Sequence, residues 1–166
     1  MCKMSVALIS GIVSMLLFSN LLAPTHVAAQ DMPSSSRQKV YTWDPMDVLD
    51  GGGIVASKIR NMTVTIIEER APNGTLSTRY VTTWQFYNVT HDDRTGSHLG
   101  VVVTLRDQSG QLLEEYTGSS PRADCSYDGN WGTAQIPTVH SSNNYLDVIS
   151  GASAQVSYGA TYEGTC

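Results

Sequence analysis

Among the residues able to do chemistry, the densest group is His91-Asp92-Asp93 with His98. Such a set could hold a metal ion if two imidazoles and a carboxylate converged at about 2 Å from it. The histidines stand seven positions apart on a polar stretch rich in Asp, Thr and Gly, which enforces no convergence, so the group reads as a polar loop. Asp44, Asp47 and Asp50, followed by Gly51, offer oxygens for calcium. An EF-hand loop places its ligands at alternate positions and closes with a distal Glu. Spacing by threes predicts one side of a helical turn instead, a solvated acidic face. Asp124, Asp128 and Asn130 are no better spaced.

A nucleophilic site needs Ser or Cys beside a His that a third group orients. No Gly-x-Ser-x-Gly elbow, Gly-rich phosphate loop or dinucleotide fingerprint occurs. Glu68-Glu69 and Glu114-Glu115 are adjacent carboxylates, and a strand sends neighbouring side chains to opposite faces. Glycoside hydrolysis needs such a pair facing across a cleft at about 5–9 Å. No catalytic residue, metal site or cofactor is therefore assigned. Tyr127, Trp131 and Tyr145 remain as candidate ligand-binding aromatics, able to stack on sugars or anchor a protein partner. The competing reading packs them over a disulfide as local core.

The elements that would position these residues are strands. Met62, Val64 and Ile66 alternate with Thr63 and Thr65, the period-two pattern of a half-buried strand. Pro72-Asn73-Gly74 supplies a tight turn into a second strand, with Leu76, Tyr80, Trp84 and Phe86 on one face and Arg79, Thr83 and Gln85 on the other. Leu99 to Leu105 and Gln111 to Tyr116 form a further hairpin around Asp107-Gln108-Ser109-Gly110. Val40 to Trp43, Thr133 to Val139, Tyr145 to Ile149 and Ala154 to Tyr162 complete about eight strands, while Met46 to Leu49 is expected to make one helical turn before the Gly51–Gly53 loop. Many short strands without an amphipathic helix predict an all-β antiparallel β-sandwich.

Composition sets where this sandwich works. The chain has 166 residues, and 1–29 carry a single charge, Lys3, ahead of an apolar run that ends in Val27-Ala28-Ala29. A basic start, an apolar middle and a small-residue exit make a secretory signal peptide cleaved before Gln30. Residues 30–38 are expected to be a flexible leader and 39–166 one sandwich domain. The part after the cleavage point has 9 basic and 15 acidic residues, a formal charge of −6, which disfavours nucleic acid because phosphate binding needs clustered Lys and Arg. It contains no second apolar stretch of spanning length. The two cysteines left, Cys125 and Cys166, are expected to form one disulfide, as an even pair in an exported chain does. Asn61, Asn73 and Asn88 head Asn-x-Ser/Thr sequons, which matter only in a eukaryotic host and are read as coincidental.

Residues 86–113 resemble the FxLYD-type immunoglobulin-like domain of exported bacterial proteins. The likeness is carried by Asn88-Val89-Thr90, by Val101-Val102-Val103-Thr104-Leu105-Arg106-Asp107, and by Gly110 and Leu113. Val103 stands where that family has Phe, and Arg106 where it has Tyr. The resemblance implies an Ig-like sandwich outside the cytoplasm and no activity. The sequence thus leads to a secreted or periplasmic, non-catalytic β-sandwich with a structural or protein-interaction role. A small glycan- or ligand-binding module is the second reading and a secreted hydrolase the third.

Overall fold

The computed structural model describes residues 20–31, 36–88, 96–120, 130–141 and 146–161. Among them are ten strands and no helix: β1 (Asn20–Leu22), β2 (His26–Asp31), β3 (Ser36–Trp43), β4 (Met46–Leu49), β5 (Val55–Arg70), β6 (Leu76–Asn88), β7 (Gly96–Arg106), β8 (Leu112–Ser119), β9 (Trp131–Ser141) and β10 (Gly151–Thr161). They form two antiparallel sheets, β1-β10-β7-β8 and β2-β3-β5-β6-β9, with β4 also pairing β5. The expected all-β sandwich is what the chain folds into.

The two hairpins read from the sequence anchor the two sheets. β5 and β6 are joined by a turn in which Asn73 Oδ1 accepts the Thr75 amide at 3.0 Å and Gly74 takes φ 85°. That conformation is open to glycine at no steric cost. Asp107 organises the β7–β8 turn in the same manner, its Oδ1 accepting from the amides of Ser109 (2.8 Å) and Gln111 (2.9 Å) and from the Ser109 hydroxyl. The Asp-x-x-Gly feature of the family resemblance is thus accounted for by local turn chemistry. Val103 is buried in the core and Arg106 is exposed, its Nη1 donating to the Gly110 carbonyl.

Alternation produces the core. Met62, Val64 and Ile66 of β5 and Tyr80, Trp84 and Phe86 of β6 point inward with Tyr41 and Trp43 of β3. Leu99, Val101, Val103 and Leu105 of β7, and Ala152, Ala154 and Val156 of β10, meet them from the other sheet. One polar bridge crosses this interior. Tyr116 of β8 stacks on Tyr80 with centroids 5.6 Å apart, and its hydroxyl lies 3.0 Å from Thr82 Oγ1. Burial pushes the Tyr116 phenol well above its ordinary range, so the hydroxyl keeps its proton.

Several expectations are corrected. Met46 to Leu49 is a strand, not a helical turn, because Val48 packs into the core while its backbone pairs with β5. Asp50 consequently caps the Gly51–Gly53 loop, accepting the Gly52 and Ile54 amides at 2.8 and 2.9 Å, and Asp47 lies 3.8 Å from Lys58 Nζ. Leu146 to Val148 is a turn rather than a strand. Leu146 and Ile149, three residues apart, are both buried, a spacing a strand cannot bury on one face. Their carbonyls accept from Lys39 Nζ at 3.1 and 2.7 Å. β3 begins at Ser36, inside the expected flexible leader, because Arg37 is tied to Glu68 and Asp147.

Residues upstream of the expected cleavage point are also structured. β1 pairs with β10, and β2 pairs with β3 from His26↔Thr42 to Asp31↔Arg37, so a cut between Ala29 and Gln30 falls within β2.

Candidate functional site

The sequence candidates disperse. Trp131 opens β9 and is 37% exposed, whereas Tyr127, Tyr145, His91, Asp92, Asp93, Cys125 and Cys166 lie outside the described residues. His98 sits on β7 with its ring over Gly159 of β10, where an added Cβ would meet Nε2 at 2.7 Å. No group of three metal-ligating side chains converges among the described residues.

Around Trp131 the fold builds a surface that the sequence does not announce. The register sets Lys58, Tyr87 and Trp131 side by side on β5, β6 and β9, and sets Arg60, Gln85 and Thr133 in the next row. These side chains occupy the outer face of the six-stranded sheet, since Ile59, Phe86 and Gly132 between them are buried on the core side. Arg60 reaches across β6 to place its guanidinium carbon 3.8 Å from the Trp131 ring centroid. Tyr87 packs on the same indole, centroids 5.5 Å apart and planes at 48°. A cation over an indole and a tilted aromatic pair are both favourable geometries.

A bulge makes this arrangement possible. Register slips between Arg60↔Gln85 and Thr63↔Thr83, and Asn61 there has φ 53°. The extra residue turns Arg60 and Asn61 outward in succession, while Ile59 and Met62 flank them in the core. Both outward side chains then use one acceptor: Gln85 Oε1 takes Arg60 Nε at 2.8 Å and Asn61 Nδ2 at 3.1 Å. Gln85 thereby fixes the guanidinium against the indole. The sequon at Asn61 sits within this polar cluster. Further along the face, Thr63 and Thr83 share a hydroxyl–hydroxyl contact of 2.9 Å.

A second polar constellation lies at one end of the sandwich. Glu68 is 5% exposed and its Oε1 accepts from Arg37 Nη2 at 2.7 Å and Nε at 3.0 Å. Arg37 also donates to Asp147 at 2.9 and 3.1 Å. The guanidinium holds the Asp147 carboxyl below the usual carboxylate range. Arg37 thus ties β3 both to Glu68 of β5 and to Asp147 of the 146–150 turn, which is a structural task. Beside the aromatic face, Ser119, Ser120, Thr133, Ala134 and Gln135 line an open polar groove between β8 and β9.

Arg60, Gln85 and Tyr87 escaped the sequence reading. Their only sequence signal is the three-residue step from Ile59 to Met62, which interrupts the period of two and marks the bulge.

No family model matches the chain, and the FxLYD resemblance gains no support from one. No curated protein matches it either. Among solved structures, the variable (V) domain of the Streptococcus agalactiae AgI/II polypeptide BspA is similar over 91% of this chain and 93% of that chain, at 13% identity and a TM-score of 0.27. A likeness of that degree carries no argument about function. No helix among the described residues is long and apolar enough to cross a membrane.

Proposed function

We propose that this chain is an exported, non-catalytic binding module that engages a protein partner in the cell envelope or outside the cell through the outer face of its six-stranded sheet. The observation that carries the reading is Trp131, solvent-accessible yet held between Arg60 and Tyr87, with Gln85 locking the arginine. Trp, Arg and Tyr are the residue types that dominate binding hot spots, and their contribution is largest when the side chains are already ordered. A sheet face offering a fixed indole, a phenol and a guanidinium suits a flat protein surface.

The second reading, a glycan ligand, draws on the same indole together with the amides of Gln85 and Asn61 beside it. One experiment separates the two. A photo-crosslinking amino acid placed at Thr133 in the exported protein captures a protein neighbour in the living host. Replacing Trp131 with Ala removes about 2 kcal/mol or more of hot-spot contact and abolishes that adduct. If instead soluble glycans shift the fluorescence of the exposed indole saturably and no adduct forms, the partner is a glycan. If Trp131→Ala leaves the adduct intact, this face is not the interface.

A further inference from the structure

Among the described residues β8 and β9 close one side of the sandwich, β1 and β2 close the other with β10 and β3 directly behind them, and these strands are defended unequally against pairing. β8, at one edge of its sheet, carries Glu114 and Glu115. β9, at an edge of the other, carries Pro137 beside a register slip between Tyr80 and Thr82 of its neighbour. Charge, proline and bulges are the devices that keep an edge from pairing with another chain. β3 carries Arg37 and Lys39. β10 has none of these: its eleven residues, GASAQVSYGAT, include no Asp, Glu, Lys, Arg or Pro.

What stands against β10 and β3 is the segment 20–31. β1 covers Val156, Gln155 and Ala154 of β10 with three residues of its own. Ala23-Pro24-Thr25 then crosses to the other sheet, where β2 covers β3. The crossing is fastened by the Thr25 amide to the Thr42 carbonyl at 2.6 Å and by Trp43 Nε1 to the Leu22 carbonyl at 3.3 Å. Leu22 itself packs on the core. This one strap closes one side of the sandwich, and the Val27-Ala28-Ala29 exit lies inside it.

We infer that the β10 edge is a self-pairing surface: once residues 1–29 are removed, β10 of one molecule pairs antiparallel with β10 of a second copy. The inference goes beyond the reading of the outer face and rests on removal of the leader. Three observations select this occupant. β10 already accepts an antiparallel strand over Ala154–Val156, so its backbone has the right form. Two-fold antiparallel pairing places each residue near its own copy; β8 and β3 would then set like charges together and β9 carries Pro137, whereas β10 has neither charge nor proline. About an axis at Gln155 the pairing can also run over 151–159, nine residues of β10, against the three that β1 covers. The product is a continuous sheet β8-β7-β10-β10-β7-β8 across a two-fold axis near Gln155, which faces Leu21 at the centre of the β1 contact.

The test uses the full chain expressed with its own leader and recovered after export. Intact mass fixes the first residue, and light scattering with sedimentation gives the oligomeric state. The expected result is a chain beginning at Gln30 that is dimeric. Gln155→Lys alone and Gln155→Glu alone each weaken the dimer, by up to about five-fold for one like-charged pair, while their equimolar mixture restores it. The mixture shows that both variants are folded. A synthetic peptide of residues 20–31 added in trans competes with the dimer. A monomer beginning at Gln30 overturns self-pairing, as does a dimer indifferent to both variants. A monomer that still begins upstream of Asn20 overturns the removal of the leader, and the inference with it.

Discussion

Arg37 offers the most decisive perturbation of the fold. Its guanidinium places two hydrogen bonds on Glu68 Oε1, at 2.7 and 3.0 Å, and a carboxylate that is 5% exposed has little access to water as a substitute. Glu68 Oε2 is buried without a hydrogen-bond partner, so Oε1 carries the whole of its satisfaction among the described residues. Replacing Arg37 with Met keeps the aliphatic stem and removes both bonds. Breaking a fully buried ion pair costs about 3–5 kcal/mol because a bare charge is left behind. Arg37 is 41% exposed, so water can enter where the guanidinium was, and the expected cost falls to about 2–3 kcal/mol. The pair with Asp147, 70% exposed, adds little to that figure. Removing the charge as well, in Arg37→Met with Glu68→Leu, should recover most of the loss. Urea unfolding followed by far-UV circular dichroism measures all three proteins, and a midpoint shift at constant slope reports stability. If Arg37→Met costs under about 0.5 kcal/mol, or if the double variant is no more stable than the single, Glu68 does not depend on Arg37 and the reasoning fails.

Other expectations follow from the same geometry. Tyr116→Phe leaves Thr82 Oγ1 buried opposite a bare ring and should cost about 1–2 kcal/mol, and a Tyr116→Phe, Thr82→Val cycle in thermal unfolding should show the two losses to be non-additive. Gly132→Ala would bring a Cβ to 2.5 Å from Phe86 Cζ; the overpacking should cost about 1–3 kcal/mol in the unfolding midpoint, with partial rescue by Phe86→Leu. The Asp147 carboxyl is held low mainly by its hydrogen bond to Arg37, so its contribution is complete above the ordinary carboxylate range and lost as pH falls through the depressed folded value. Melting temperatures of the wild type and Asp147→Asn should therefore differ at neutral pH and converge in acid. Gln85→Leu removes the acceptor shared by Arg60 and Asn61 and should loosen the guanidinium from Trp131, read as a change in indole fluorescence with no loss of global stability above about 1 kcal/mol.

The strand content was legible because period-two burial is a local property. Met62, Val64 and Ile66, and Tyr80, Trp84 and Phe86, needed only their own spacing to declare an inward face, and Asn73-Gly74 and Asp107 declared the turns by their own side-chain chemistry. Local pattern failed where a partner decides the conformation. Met46 to Leu49 has a spacing open to either a helical turn or a strand, and it is a strand because β5 offers a ladder. Leu146 to Ile149 looks like a strand, and it is a turn because Lys39 collects its carbonyls.

The residues around Trp131 divide the same way. The chain alone marks Trp131 as an aromatic in an irregular region, and its alternating segments predict an all-β fold. Bringing Arg60, 71 positions earlier, onto its indole requires the order β5-β6-β9, which no local pattern encodes. The bulge at Asn61 then decides that Arg60 leans outward onto Gln85. Side-chain alternation is fixed by bond geometry within a few residues. Strand order is fixed by which faces the whole chain can bury at once, and only the folded molecule settles that.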